Sequence, residues 1–191
     1  MKLFYIVNIN INNNTARSVQ VKSNSISFFS ILGDSFKLIT PDKTNYPFSK
    51  CLNSGKSIRE SSKKRKIIFH FKTFFFLMFK SREVIIYSRN ISIITISSIL
   101  GYKCIWEAHD KLKNINIFFL KYLLSKKIKI VSISKSLKNY LVKAYNLDKE
   151  KVLVAHDGVF VDRYDNYRKI NKEELREDLK LPTKNDFILM H

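Results

Sequence analysis

The sequence predicts an α/β fold, a parallel sheet covered by helices on both sides. Short continuous apolar runs such as Glu83–Tyr87 (EVIIY) have the pattern of strands buried on both faces. These runs alternate with longer stretches of helical character, as strands of a parallel sheet do with their crossover helices. The composition fits a packed domain: 45% hydrophobic and 27% charged residues, with only 4 Gly and 3 Pro, leave no room for a linker, a collagenous repeat or a disordered chain.

Leu3–Ile9 reads as a first strand. Thr15 can cap a helix that Gly33 ends, and Asp34–Thr40 (DSFKLIT) reads as a second strand closed by Pro41. From Asp42 to Ser62 the chain is polar and turn-rich, without periodicity. Lys63–Arg82 has the length of a helix, with a basic start and a wide apolar face. After Glu83–Tyr87, Asn90–Leu100 reads as a helix stopped at Gly101, although β-branched residues are frequent there. Lys103–Trp106 is a strand, Leu112–Ser125 a helix and Ile128–Ile133 a strand. Ser134 stands at an N-cap position, and Leu137, Tyr140, Leu141 and Ala144 follow on one helix face. Val152–Ala155 is one more strand. Asp162–Lys169 has the irregular charge of a connector. Asn171 and Glu174 form a capping-box-like start to a helix that Leu181-Pro182 ends. Asp186–Met190 (DFILM) begins a further strand just before His191, which predicts that a second domain is cut short.

Cys51 and Cys104 have no CxxC or Cys/His spacing, which argues against a zinc site and for a reducing compartment. The N-terminal apolar run is too short for a signal peptide. Ile67–Phe79 is too short to span a bilayer and is interrupted by His70 and Lys72. The formal charge of +19 admits nucleic acid, an anionic membrane or a general lysine-rich bias as its reason. The lysines are spread along the chain, and the aromatics fall in apolar runs instead of between basic residues, so nucleic acid has no motif behind it. Residues 63–79 admit two readings: a core helix with its basic end in water, or a helix lying on an anionic membrane surface.

Open parallel sheets bind ligands beyond the carboxyl ends of their strands. The residues there are Tyr87-Ser88-Arg89, Glu107-Ala108-His109-Asp110, Ser132–Ser136 and His156-Asp157-Gly158-Val159. Each has a plainer reading. Arg89 can be a surface ion pair, His109 a loop residue between acids, Ser134 a helix cap, and Asp157-Gly158 a turn.

Taken in order, YSRN, GYKCIWEAHD, KIVSISKSLKNYL and KVLVAHDGV resemble the N-terminal domain of glycosyltransferase family 4 enzymes, of the GT-B fold. The resemblance covers residues 83–165 well and the rest loosely. It implies a Rossmann-like three-layer domain over residues 1–165 on the acceptor side of a cleft. Residues 166–191 would be a connector helix and the first strand of a missing donor-binding domain. It implies His109 as the catalytic-site residue beside the transferred sugar, with Glu107 and Asp110 shaping its loop. Arg89 would lie near the acceptor, and Ser134, Asp157 and Gly158 would be further substrate contacts. The implied reaction is retaining hexosyl transfer from a nucleotide-sugar to a lipid-linked or polysaccharide acceptor, with no essential metal and no other cofactor. The implied place is the cytoplasm or the inner face of the cell membrane. The sequence departs from the family at Asn8–Asn14, which has no glycine where a Gly-rich turn is usual, and at Phe160, where an acid usually follows Gly-Val. Without its second domain the chain is expected to be inactive, and a non-catalytic acceptor-binding or degenerate module is the alternative.

Overall fold

The computed structural model describes residues 2–13, 15–52, 63–112, 119–120, 122–123, 128–156 and 177. The chain separates into two units, residues 1–158 and 159–191. Apart from Glu177 the described residues belong to the first, so the connector, helix and strand expected after Asp162 lie outside them, as do Asp157 and Gly158.

Seven described strands form one sheet in which every pairing is parallel. They are β1 (Lys2–Ile6), β2 (Phe36–Thr40), β3 (Ser49–Cys51), β4 (Val84–Ser88), β5 (Lys103–Ala108), β6 (Lys129–Ser132) and β7 (Val152–Val154). Their order is β3-β2-β1-β4-β5-β6-β7. This is the predicted Rossmann-like α/β class. The chain builds outward from β1 to β2 and β3, then returns to the other side of β1 to lay down β4 to β7. The order reverses between β1 and β4, where Tyr5 pairs with Tyr87; a reversal of this kind is where open parallel sheets place their ligand crevices.

That reversal also decides which face each helix covers, because parallel crossovers are right-handed. α1 (Ala16–Leu32) lies on one face and packs Val21, Ile26, Phe28 and Phe29 against Leu3, Tyr5, Phe36, Leu38 and Tyr87. α2 (Lys63–Met78), α3 (Ile91–Ile99) and α4 (Lys135–Tyr145) lie on the other. There Phe69, Leu77, Ile94 and Leu141 meet Ile6, Ile86, Trp106 and Ile130. Leu120 and Leu123, also helical, join this second cluster. The rest of the helix expected over 112–125 lies outside the described residues. Among the described helices, α1 alone covers the first face, and it stops short of β7, where Leu153 is 63% exposed.

Capping fixes the helices much as expected. The hydroxyls of Thr15 and Ser134 accept from Ser18 N and Leu137 N, and the Asn90 side chain accepts from Ser92 N. Gly33 ends α1 at a positive φ of 52°. α3 is helical despite its β-branched run. It is anchored by the Asn90 cap and buried through Ile91, Ile93, Ile94, Thr95 and Ser97, and the Thr95 and Ser97 hydroxyls donate back to the carbonyls of Ile91 and Ile93.

Several boundaries differ from expectation: β2 begins at Phe36 instead of Asp34, and β5 runs on to Ala108 instead of ending at Trp106. β1 ends at Ile6, three residues early, because the chain turns away after Val7 donates to Ile39 O. α2 ends at Met78 instead of Arg82: Lys80 N closes a turn on Leu77 O, and the same carbonyl accepts from Arg82 Nη1 and the Tyr102 hydroxyl. The polar stretch 42–62 contains β3, whose Ser-Lys-Cys sequence carries no apolar signal; pairing with β2 makes it a strand.

Candidate active site

At the carboxyl end of β5 the sheet presents a carboxylate where its pattern calls for an apolar side chain. Glu107 pairs in register with Val131 and projects to the α1 face. It is only 3% exposed. A buried charge is tolerated only when paired and hydrogen-bonded, and Glu107 accepts four hydrogen bonds. Arg89, the residue after β4, donates from Nε to Oε2 and from Nη2 to Oε1, each at 3.2 Å. His109 Nε2 is 2.8 Å from Oε1, and the Tyr5 hydroxyl donates to Oε2 at 3.4 Å. Burial alone raises the Glu107 carboxyl, but the hydrogen bond from His109 and the charge of Arg89 outweigh it. The net effect holds the carboxyl below its ordinary value.

The ionised carboxylate has consequences for its neighbours. Burial first, and then the charge of Glu107, push the Tyr5 and Tyr87 hydroxyls up, so both stay protonated. A carboxylate can only accept, which makes His109 Nε2 the donor and leaves Nδ1 as the ring atom able to meet a ligand. Glu107 is thus an anchor for Arg89 and His109. With its oxygens occupied and its basicity lowered, it is poorly suited to proton transfer.

Glu107 and Tyr87 also floor a cleft of about 160 Å³ at the border of the α1-covered region. Asn24, Ser27 and Phe28 of α1 form one wall, and Val131, Ala155 and His156 the other. Sites that engulf a whole drug-sized ligand run to roughly 300–1,000 Å³, so this cleft suits part of a ligand. Across the reversal point, Asn8 follows β1, and its Nδ2 is buried without an acceptor among the described residues. The loop after it lacks glycine, and asparagine is the residue besides glycine that most readily adopts left-handed angles. Among the described residues the only non-glycine with positive φ is Asn146, at the end of α4. The loop is fixed instead by side chains: Asn10 Oδ1 accepts from Asn12 N, and Asn12 Nδ2 donates to Lys43 O.

The structure brings together Arg89, Glu107 and His109. Asp110 stands apart, 79% exposed, 3.8 Å from an equally exposed Arg17. Such a pair contributes little. The Ser134 hydroxyl is engaged in capping α4. Tyr5, Tyr87, Asn24 and Ser27 were not singled out as site residues in the sequence. Both tyrosines sit in apolar strand runs; Tyr87 lies on β4 beside β5, and only the strand order shows that Tyr5 meets Glu107 from across the reversal point. Among the described residues no three His, Cys, Asp or Glu side chains gather as a metal site.

No protein-family model matches the chain. No curated protein matches it significantly. Its fold is that of the crystal structure of a glycosyltransferase from Rickettsia africae ESF-5, with a TM-score of 0.61 and 19% sequence identity over 96% of the chain. The chain spans 50% of the length of that protein.

Proposed function

We propose that this chain forms the acceptor-side half of a nucleotide-sugar glycosyltransferase of the GT-B type. The observation that carries the reading is the Arg89–Glu107–His109 cluster at the carboxyl ends of β4 and β5, beside the crevice where the strand order reverses. The fold shared with half of a solved glycosyltransferase supports it, as does the order of the four short motifs. In this reading His109, held by Glu107 through Nε2, offers Nδ1 to a hydroxyl of the transferred sugar. Arg89 lies beside the acceptor.

The chemistry assigns the remaining tasks. Cleavage of the sugar–phosphate bond leaves negative charge on the diphosphate, which needs cationic groups or backbone N–H donors. Those groups would come from a second α/β domain. This half would hold the acceptor hydroxyl in line with the anomeric carbon. The transfer is retaining and the acceptor is a glycan or a lipid-linked sugar. The test is glycosyl transfer from labelled nucleotide-sugars by the longest protein encoded in the reading frame that contains these 191 residues. We expect transfer by the parent, a loss of about a hundredfold in kcat for His109→Ala with the fold retained in circular dichroism, and no turnover by the 191-residue chain alone. Equal kcat in the variant would remove His109 from the site, and absence of transfer from every nucleotide-sugar would overturn the class.

A further inference from the structure

Helix α2 is apolar on two opposite faces, and only one of them is buried in the fold. Phe69, Thr73 and Leu77 are buried in the layer beneath the sheet. Ile67, Phe71, Phe75 and Met78 lie in a row on the outward side, with Ile68 and Phe79 beside them. At about 100° per residue these six side chains occupy an outward arc of about 120°. Six of the nine exposed large apolar side chains among the described residues fall in this segment, with Phe71 at 62%, Phe75 at 56% and Phe79 at 80%. Scattered exposed apolar residues are ordinary on a protein surface, but a contiguous row marks a docking surface.

The charges around the row indicate its occupant. No acidic residue occurs from Lys63 to Arg82. Lys64 and Lys72 are exposed beside the row, while Lys66, exposed in the first turn, and Lys80, just past the helix, project toward the opposite side. Arg65 does not belong to this set: it is buried and ion-paired with Asp42. A second copy of the chain docking row to row would set these lysines against their own counterparts. A nucleic acid would satisfy the lysines and leave the phenylalanines in water. A bilayer surface with anionic headgroups takes up both, the rings at the acyl boundary and the ammonium groups among the phosphates. No described helix is long and apolar enough to cross a membrane, so the helix would lie in the plane of the surface.

We propose that the outward face of α2 docks the protein on an anionic lipid bilayer. The placement follows from the fold. The Arg65–Asp42 pair ties the first turn of α2 to the residues just past β2, and the Tyr102 hydroxyl ties its last turn to the segment entering β5. The helix therefore runs opposite to the strands, and its basic end lies at the same edge of the sheet as the Glu107 cluster. Docking does not rest on glycosyl transfer and is read without any activity.

The experiment is co-sedimentation of the 191-residue chain with vesicles of phosphatidylcholine alone and of phosphatidylcholine mixed with phosphatidylglycerol. Three proteins are compared: the parent, Phe71→Ser with Phe75→Ser, and Lys64→Ser with Lys66→Ser and Lys72→Ser. All five side chains are exposed, so the fold should persist, and circular dichroism with a melting curve checks it. Phe79→Ser, beyond the helix, serves if the double variant unfolds. The parent should partition onto the mixed vesicles and lose partition as salt rises. The phenylalanine variant should lose at least tenfold on the order expected for exposing buried rings, and the lysine variant on the order of a hundredfold. Equal recovery on neutral and mixed vesicles overturns the proposal. Loss with the lysines but not the phenylalanines marks a plain polyanion site and overturns it too. So does a dimer in solution that the phenylalanine changes dissolve while no vesicle is bound.

Discussion

Four donors converge on Glu107, and the loss of its charge should be felt first in stability. Glu107→Gln keeps the shape but removes the counter-charge of Arg89 and turns an amide N–H₂ toward donors. Breaking one partner of a buried pair costs about 3 kcal/mol, and urea unfolding near pH 7 should show a loss of that order. The carboxyl is held below its ordinary value in the folded protein, while the unfolded chain titrates near 4.3. In the window between these values the unfolded state binds more protons, so stability rises with pH there. The contribution of Glu107 is fully present above about pH 5 and is lost as pH falls through the folded value. Urea midpoints measured from pH 3 to pH 6 should slope less steeply in Glu107→Gln than in the parent, and parallel curves would show that the carboxylate is not held as described. The sequence reading placed Arg89, Glu107 and His109 at one edge of the sheet, because they follow or end apolar strand runs. It failed for Tyr5, which lies 102 positions from Glu107 and is joined to it only by the order of the strands. Asp110 shared the motif but faces water, two residues past the end of β5.

At the scale of elements, Ser134 was open to two readings, helix cap or ligand contact. Its hydroxyl accepts from Leu137 N at 3.1 Å, and Ser132 Oγ donates to its carbonyl. Ser134→Ala should therefore cost about 1 kcal/mol of stability, measured by urea unfolding, and Ser134→Asp should restore most of it. A variant as stable as the parent would mean that the cap is not formed. Strands buried on both faces were legible to within about three residues because continuous apolar runs have few other uses. β3 was not, since an edge strand of three half-exposed residues owes its form to a neighbour. α2 was legible as a helix, but the sequence could not say which apolar residues face in. The packed contacts of Phe69 and Leu77 decide that, and they separate the core half of the helix from the outward row. They also move Arg65 from the basic cluster into a buried pair, which removes it from the surface charge the sequence suggested.

For the molecule as a whole, the fold class was legible because alternation of strand and helix is a global pattern; the strand order depends on the direction of each crossover and was not. One consequence concerns synthesis. β1 lies inside the sheet, and one of its two partners is β4, with Lys2 opposite Val84. A ribosome adds about 5–20 residues each second, so β1 waits roughly 4 to 16 s for that neighbour. During the wait its apolar edge can pair with β2 alone, and an open edge of this kind recruits other chains. Nascent chains released before β4 has emerged should therefore aggregate, and chains released after β5 should stay soluble, as sedimentation of arrested translation products would show. Equal solubility of the two would mean that β1, β2 and α1 shield themselves, and the hazard of the central strand would vanish with the delay that creates it.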